Sequence, residues 1–156
     1  MGKEYIHWNI RGLNDKGRRK NKVDKIISLI QNPKKIVVVN LQETHLSSSE
    51  DIPKKILEYK HIFHIVPSFA PLSDKGSGII LLINKSEEIV SEIEILKGRI
   101  LILSLKNQAT GNITTLISFY GKSSNRRFTW ETQLEKIENY ITSNNLQNIV
   151  DILHVA

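Results

Sequence analysis

The sequence predicts a mixed α/β fold, and three observations carry that prediction. Strand-like and helix-like segments alternate at both ends of the chain, while short strand-like runs joined by tight turns fill its middle. The segment "KIVVVNLQ" is a short continuous apolar run, the pattern of a strand covered on both faces. No segment repeats another, and no low-complexity tract or linker divides the 156 residues, so they read as one domain.

The elements follow in order. "EYIHWNI", residues 4–10, is β-branched and aromatic and reads as a strand ending near Asn9. Gly12 and Asn14-Asp15 supply a turn and a helix cap. From 16 to 32 the apolar positions Val23, Ile26, Ile27 and Ile30 recur at helical spacing, and Asn32-Pro33 ends that helix. The apolar run beginning at Ile36 then passes through Asn40, Leu41 and Gln42 and stops at Glu43, with His45 two residues on. A Ser/Asp/Pro-rich loop leads to a short helix near 52–59, and "HIFHIV" reads as a strand. "SFAPLSDKGSG" is a loop, followed by strands at 78–84, 88–95, 99–105 and 112–120 with turns between them. The last helix, about 125–143, aligns Trp130, Leu134, Ile137 and Ile141, and "NIVDIL" is a further strand.

Composition narrows the chemistry. The chain has no cysteine, which excludes disulfides, thiol catalysis and a cysteine-ligated zinc site. Net charge is +6 with a pI near 9.5, a balance that favours an anionic partner such as nucleic acid and also serves solubility. Lys16, Arg18, Arg19, Lys20, Lys22 and Lys25 crowd one segment, and Arg126 pairs with Arg127. Such runs serve equally as plain solvated faces. No apolar run approaches the roughly 18 residues of a membrane span. The N-terminus lacks a signal-peptide core, and Ile6 stands where N-myristoylation wants Ser or Thr. The expectation is an intracellular, soluble protein without a membrane partner.

Asn9, Glu43 and Tyr120 all fall at strand ends, where sheets covered by helices place their functional groups. A carboxylate there suits a hard divalent cation held through one or two oxygens, with water and phosphate completing the shell. A neutral Asn can bond a metal-bound water or a phosphate oxygen, and a Tyr can donate to a phosphoryl oxygen. Together they suit metal-assisted phosphodiester hydrolysis. Each also has a plain structural reading: Asn9 as a turn residue, Glu43 as a solvated carboxylate, Tyr120 as a core ring with a wet hydroxyl, His45 as a loop residue. Spacing alone goes no further than a suspected metal site.

The motifs add to this. "HWNIRGLN", a basic helix, "KIVVVNLQETHL", "GSGIILLINK", "GRILIL" and "ITTLISFYGKSSNRRFTW" fall in an order that resembles the endonuclease/exonuclease/phosphatase superfamily. The "NIRGLN" and "LQETH" versions are most similar to the apurinic-endonuclease-like domain of non-LTR (LINE-type) retrotransposons. The resemblance implies one domain over 1–156 with a DNase I-like, mixed-sheet α/β sandwich. It implies Mg²⁺- or Mn²⁺-dependent cleavage of phosphodiesters with DNA as partner, nuclear localisation in a functional retroelement, and a reverse-transcriptase domain in a full-length relative. Carried over by position, Glu43 and Asn9 are the metal-side residues and Tyr120 contacts the scissile phosphate. Arg11, Arg126 and Arg127 are expected to bind substrate, and His45 belongs to the motif.

The chain also departs from that family. Gly121-Lys122 follows Tyr120 without the family's proline. Where the family has Gly-Asp-Phe-Asn the chain reads "NIVDILHVA", with Asp151 close to the matching place, and no later Asp-His pair follows. The sequence therefore reads as C-terminally truncated, with hydrolysis impaired or absent. The alternatives are a non-catalytic remnant that binds nucleic acid nonspecifically, or a phosphoesterase of the same superfamily acting on another substrate.

Overall fold

Two four-stranded sheets lie face to face in a computed structural model that describes residues 4–13, 21–33, 35–121, 127–144 and 149–155. For residues 21, 127–132 and 149–155 it describes the backbone alone. The first sheet contains β1 (Glu4–Asn9), β2 (Ile36–Gln42), β3 (Phe63–Ser68) and β4 (Ile79–Asn84), in the order β1-β2-β4-β3. The second contains β5 (Glu87–Leu96), β6 (Ile100–Asn107), β7 (Ile113–Gly121) and β8 (Ile149–Val155), in sequence order. Helix α1 (Asn21–Ile30) connects the parallel pair β1 and β2, and α3 (Arg127–Ser143) connects the parallel pair β7 and β8. The remaining pairings are antiparallel. A short α2 (Lys54–Leu57) precedes β3.

Three apolar clusters make this a four-layer sandwich. Ile26 and Ile30 of α1 and Ile56 of α2 pack on Val39, Leu41, Ile80 and Leu82, on the outer face of the first sheet. Val38, Leu81 and Ile83 meet Leu101, Leu103, Leu105 and Leu116 between the sheets. Ile137 of α3 packs on Ile100, Ile102, Ile117 and Phe119, on the outer face of the second sheet. Every residue of β2 is buried, as its unbroken apolar run predicts, because it is an inner strand covered on both faces.

Two elements differ from the sequence expectation. β3 starts at Phe63, two residues late, because the N–H groups of Ile62 and Phe63 close the turn after α2 onto the Tyr59 carbonyl, both at 2.9 Å. Its Pro67 is tolerated because β3 is an edge strand of the first sheet. On α3, Leu134 is exposed, and the buried positions are Gln133 and Ile137, with Tyr140 and Ile141 beside them. The helix packs through a face rotated from the one its apolar residues suggest.

Candidate active site

The inward faces of β1, β2 and β7 carry one buried polar chain. Gln42 Nε2 donates to Ser118 Oγ at 3.0 Å, and the Ser118 hydroxyl donates to Asn40 Oδ1 at 2.9 Å. Asn40 Nδ2 lies 3.1 Å from His7 Nδ1. Asn40, Gln42 and Ser118 are fully buried, so these bonds are what makes their burial tolerable. Strand alternation then fixes what comes next. Asn9 stands two residues beyond His7, and Tyr120 two residues beyond Ser118, on the same faces. Asn9 lies opposite Gln42, and Glu43 is the residue after it. Asn9 and Tyr120 thus stand on the face that carries the polar floor, and Glu43 follows Gln42 where β2 ends and the backbone turns at positive φ.

The backbone at the top of β1 and β2 is strained. Among the described residues, the non-glycine residues with positive φ are Arg11 at 49°, Glu43 at 57° and His45 at 60°, all in these two loops. Such conformations cost on the order of 1–3 kcal/mol each and persist only when the surroundings hold them. Here they are held by hydrogen bonds: Gly12 N–H to Glu43 O at 2.7 Å, Leu13 N–H to Thr44 O at 2.9 Å, Thr44 N–H to Gly78 O at 3.1 Å and His45 N–H to Ser77 O at 2.9 Å. Lys22 adds its ammonium to the Arg11 and Gly12 carbonyls at 3.0 and 2.7 Å. One member of the expected basic face therefore supports the site loop.

Glu43 is the central side chain. Its carboxylate is about one-fifth exposed, and its Oε1 is 3.5 Å from His45 Nε2. The Tyr120 side chain is buried, with Glu43 near enough for its charge to act on the phenol. Burial raises the Tyr120 pKa above the ordinary tyrosine value, and the Glu43 charge raises it further, against the opposing effect of Arg99. The phenol is therefore held as a neutral donor. Asn9 turns its Oδ1 onto the Arg11 backbone N–H at 3.2 Å, which fixes the amide and leaves Arg11 exposed at the rim.

Arg99 is the residue that sequence reasoning missed. It is buried just before β6, with its guanidinium carbon 4.4 Å from the Tyr120 ring centroid. It holds Asp74 with two bonds, at 2.7 and 2.9 Å, and donates to the Gly121 carbonyl at 3.1 Å. The signal available was an arginine opening an otherwise aliphatic strand, "GRILIL". Its partners lie too far along the chain for spacing to reveal them.

The remaining candidates fall mostly outside the described side chains. Arg126 lies outside the described residues, as do Lys16, Arg18, Arg19 and Lys20 of the basic segment, and only the backbone of Arg127 is described. Asp151 lies opposite Ile117, whereas His154 occupies the Tyr120 level. Strand β8 runs on to Val155, four residues beyond Asp151, so Asp151 lies within the strand and not at its end.

The donor set fits one kind of metal site. Among the described residues no group of three or more His, Asp or Glu side chains stands together, so these residues form no all-protein cage. A single carboxylate with an amide oxygen beside it suits Mg²⁺ or Mn²⁺, hard cations that take oxygen ligands; Mg²⁺ in particular keeps most of its waters and binds phosphate.

Stacked mixed sheets flanked by helices make a DNase I-like α/β sandwich, the fold of solved phosphoesterase and nuclease structures. Solved structures with this fold include TDP2 from Caenorhabditis elegans, at 17% identity and a TM-score of 0.63, over 90% of this chain and 43% of that one. The endonuclease domain of TRAS1, a telomere-specific non-LTR retrotransposon, matches at 13% identity and a TM-score of 0.61, over 94% of this chain and 56% of that one. TDP2 from D. rerio, complexed with a single-strand DNA product, matches at 18% identity and a TM-score of 0.62, over 94% of this chain and 57% of that one. The chain spans about half the length of these structures. No protein-family model and no curated protein matches the sequence.

Proposed function

We propose that the Glu43–Asn9–Tyr120 arrangement is the metal- and phosphate-holding part of a centre that hydrolyses phosphodiesters in DNA. The observation that carries this is the polar strand-end arrangement itself: the strained, hydrogen-bonded turn sets Glu43 Oε1 3.5 Å from His45 Nε2, next to the buried Gln42–Ser118–Asn40 chain that joins β2 to β7. Glu43, with the Asn9 amide, would hold the divalent cation. Bound there, the cation would supply Lewis-acid stabilisation of charge on the phosphate. With the cation taking up the Glu43 carboxylate, Tyr120 would keep its single proton and donate it as a hydrogen bond to a phosphoryl oxygen. Asn9, fixed by the Arg11 N–H, presents a polar group without adding negative charge near the phosphate. His45 lies beside Glu43, its Nε2 3.5 Å from the carboxylate.

A net charge of +6, the exposed Arg11 and the superfamily fold support DNA as the partner. Purified protein incubated with supercoiled plasmid and Mg²⁺ tests this. Nicked circles that vanish on chelation are the expected result. Salt-sensitive DNA binding without any nicking would instead establish a binding protein with this fold.

A further inference from the structure

Beside the candidate site lies a cleft of about 280 Å³, lined by His45, Ser47, Ala70, Pro71, Leu72 and Lys75. We infer that it is a subsite for one nucleoside unit of a DNA strand, the unit next to the phosphodiester held at Glu43 and Tyr120. The inference rests on the proposed function and adds to it the residues that take hold of the strand.

Three observations carry it. His45 lines the cleft and also lies 3.5 Å from the Glu43 carboxylate, so the cleft continues directly from the site. Its walls combine the apolar Ala70, Pro71 and Leu72 with the cationic Lys75, matching a base or sugar face beside a phosphate. Leu72 is 85% exposed, while the next most exposed large apolar residue among those described, Val90, is 53% exposed.

A single exposed leucine is ordinary in itself. This one sits on a rigid mount. The Asp74 carboxylate is gripped by Arg99 at 2.7 and 2.9 Å, and its carbonyl accepts the Ser77 hydroxyl at 2.7 Å. The Ala70 N–H donates to Leu46 O at 2.8 Å, and the Asp74 N–H to Pro71 O at 2.9 Å. A side chain held in water by a pinned loop has lost backbone freedom without gaining burial, a cost that contact with a ligand would offset. Arg99 also lies against Tyr120, so one residue sets both the phosphate-facing ring and the loop that would hold the neighbouring nucleoside.

Binding of a fluorescein-labelled single-stranded DNA of about ten nucleotides, followed in EDTA by anisotropy across a salt series, tests this without requiring turnover. Leu72→Ser should weaken binding about fivefold at every salt concentration, the order of one lost apolar contact. Lys75→Ala should lower the slope of log affinity against log salt by about one. Both variants should melt like the wild type. Unchanged affinity and slope in both would overturn the subsite, and Mg²⁺-dependent nicking by the wild type in parallel would leave the proposed function standing. An effect of Lys75→Ala alone would also overturn it, because surface charge would then suffice. Failure of the wild type to bind the strand in EDTA would overturn the subsite, and the parallel nicking assay would decide the proposed function separately.

Discussion

Arg99 lies against the Tyr120 ring, 4.4 Å from guanidinium carbon to centroid, and grips Asp74 with the same guanidinium. Planarity serves both contacts at once: the face meets the ring and the edge meets the carboxylate. Lysine can reproduce neither. Arg99→Lys keeps the charge but loses the two-bond grip and the stacked face, so it should destabilise the fold by about 1–2 kcal/mol, less than removal of a buried partner. Urea unfolding measures it. Cleavage should fall as well, because Tyr120 loses its support.

Tyr120→Phe keeps the ring and removes the hydroxyl that faces Glu43. Stability should change by only about 1 kcal/mol, the net worth of one hydrogen bond. Single-turnover cleavage should fall on the order of 10²-fold if the hydroxyl donates to the phosphate, as for other positioned donors. A loss in stability without a loss in rate would assign Tyr120 to the core alone.

The raised Tyr120 pKa has a consequence at alkaline pH. The folded state keeps this proton at pH values where the unfolded chain has released it. Stability is therefore fully present below the ordinary tyrosine value, near 10, and is lost as pH rises through the higher folded value. Tyr5, raised by burial and by Glu87, acts in the same direction. Thermal melts across this range should show stability falling, with a shallower fall in Tyr120→Phe. Tyrosinate absorbance should show a late-titrating group that this variant lacks.

Gly78 and Gly76 form a paired test of the loop geometry. Gly78 has φ of +109°, and a Cβ there would collide with the Thr44 hydroxyl. Gly78→Ala should cost more than about 2 kcal/mol, and it should disturb the 43–45 segment bonded to this loop. A Cβ on Gly76 would meet nothing within 4 Å, so Gly76→Ala should stay within about 0.5 kcal/mol of wild type. Equal effects would contradict the strained-loop description.

Ser118 is the hinge of the polar floor. Ser118→Ala would orphan Asn40 Oδ1 and Gln42 Nε2 together, at a cost of about 2–3 kcal/mol. Gln42 Oε1 already lacks a hydrogen-bond partner among the described residues. Gln42→Met should therefore cost less than Ser118→Ala, under about 1.5 kcal/mol, because it removes an unpaired acceptor along with one donor. Chemical denaturation of the two variants side by side checks the order.

Local pattern and long-range pairing divide what the sequence could reveal. The strand-end placement of Asn9, Glu43 and Tyr120 was legible because each closes a run of apolar or β-branched residues, and a strand end is a local property. The burial of β2 followed from its continuous aliphatics, and the core face of α1 from its helical spacing. Arg99 was hidden because its contacts reach back to Asp74 and forward to Tyr120, across strands whose pairing no local pattern states. The exposed Leu134 shows the same limit: an apolar stripe defines a helix, but the sheet beneath selects the face. The partner that lets Asn40 and Gln42 lie buried in an apolar strand, Ser118, comes from the other sheet, which no local pattern states.

The most direct measurement is single-turnover cleavage of a labelled DNA duplex by wild type and Glu43→Gln across a Mg²⁺ titration. The wild type should cut with a saturable dependence on Mg²⁺. Glu43→Gln, similar in shape but without the charge, should lose cleavage by on the order of 10²-fold or more while binding the duplex in EDTA about as well. Equal Mg²⁺-dependent cleavage by both proteins would contradict a metal- and phosphate-holding role for Glu43.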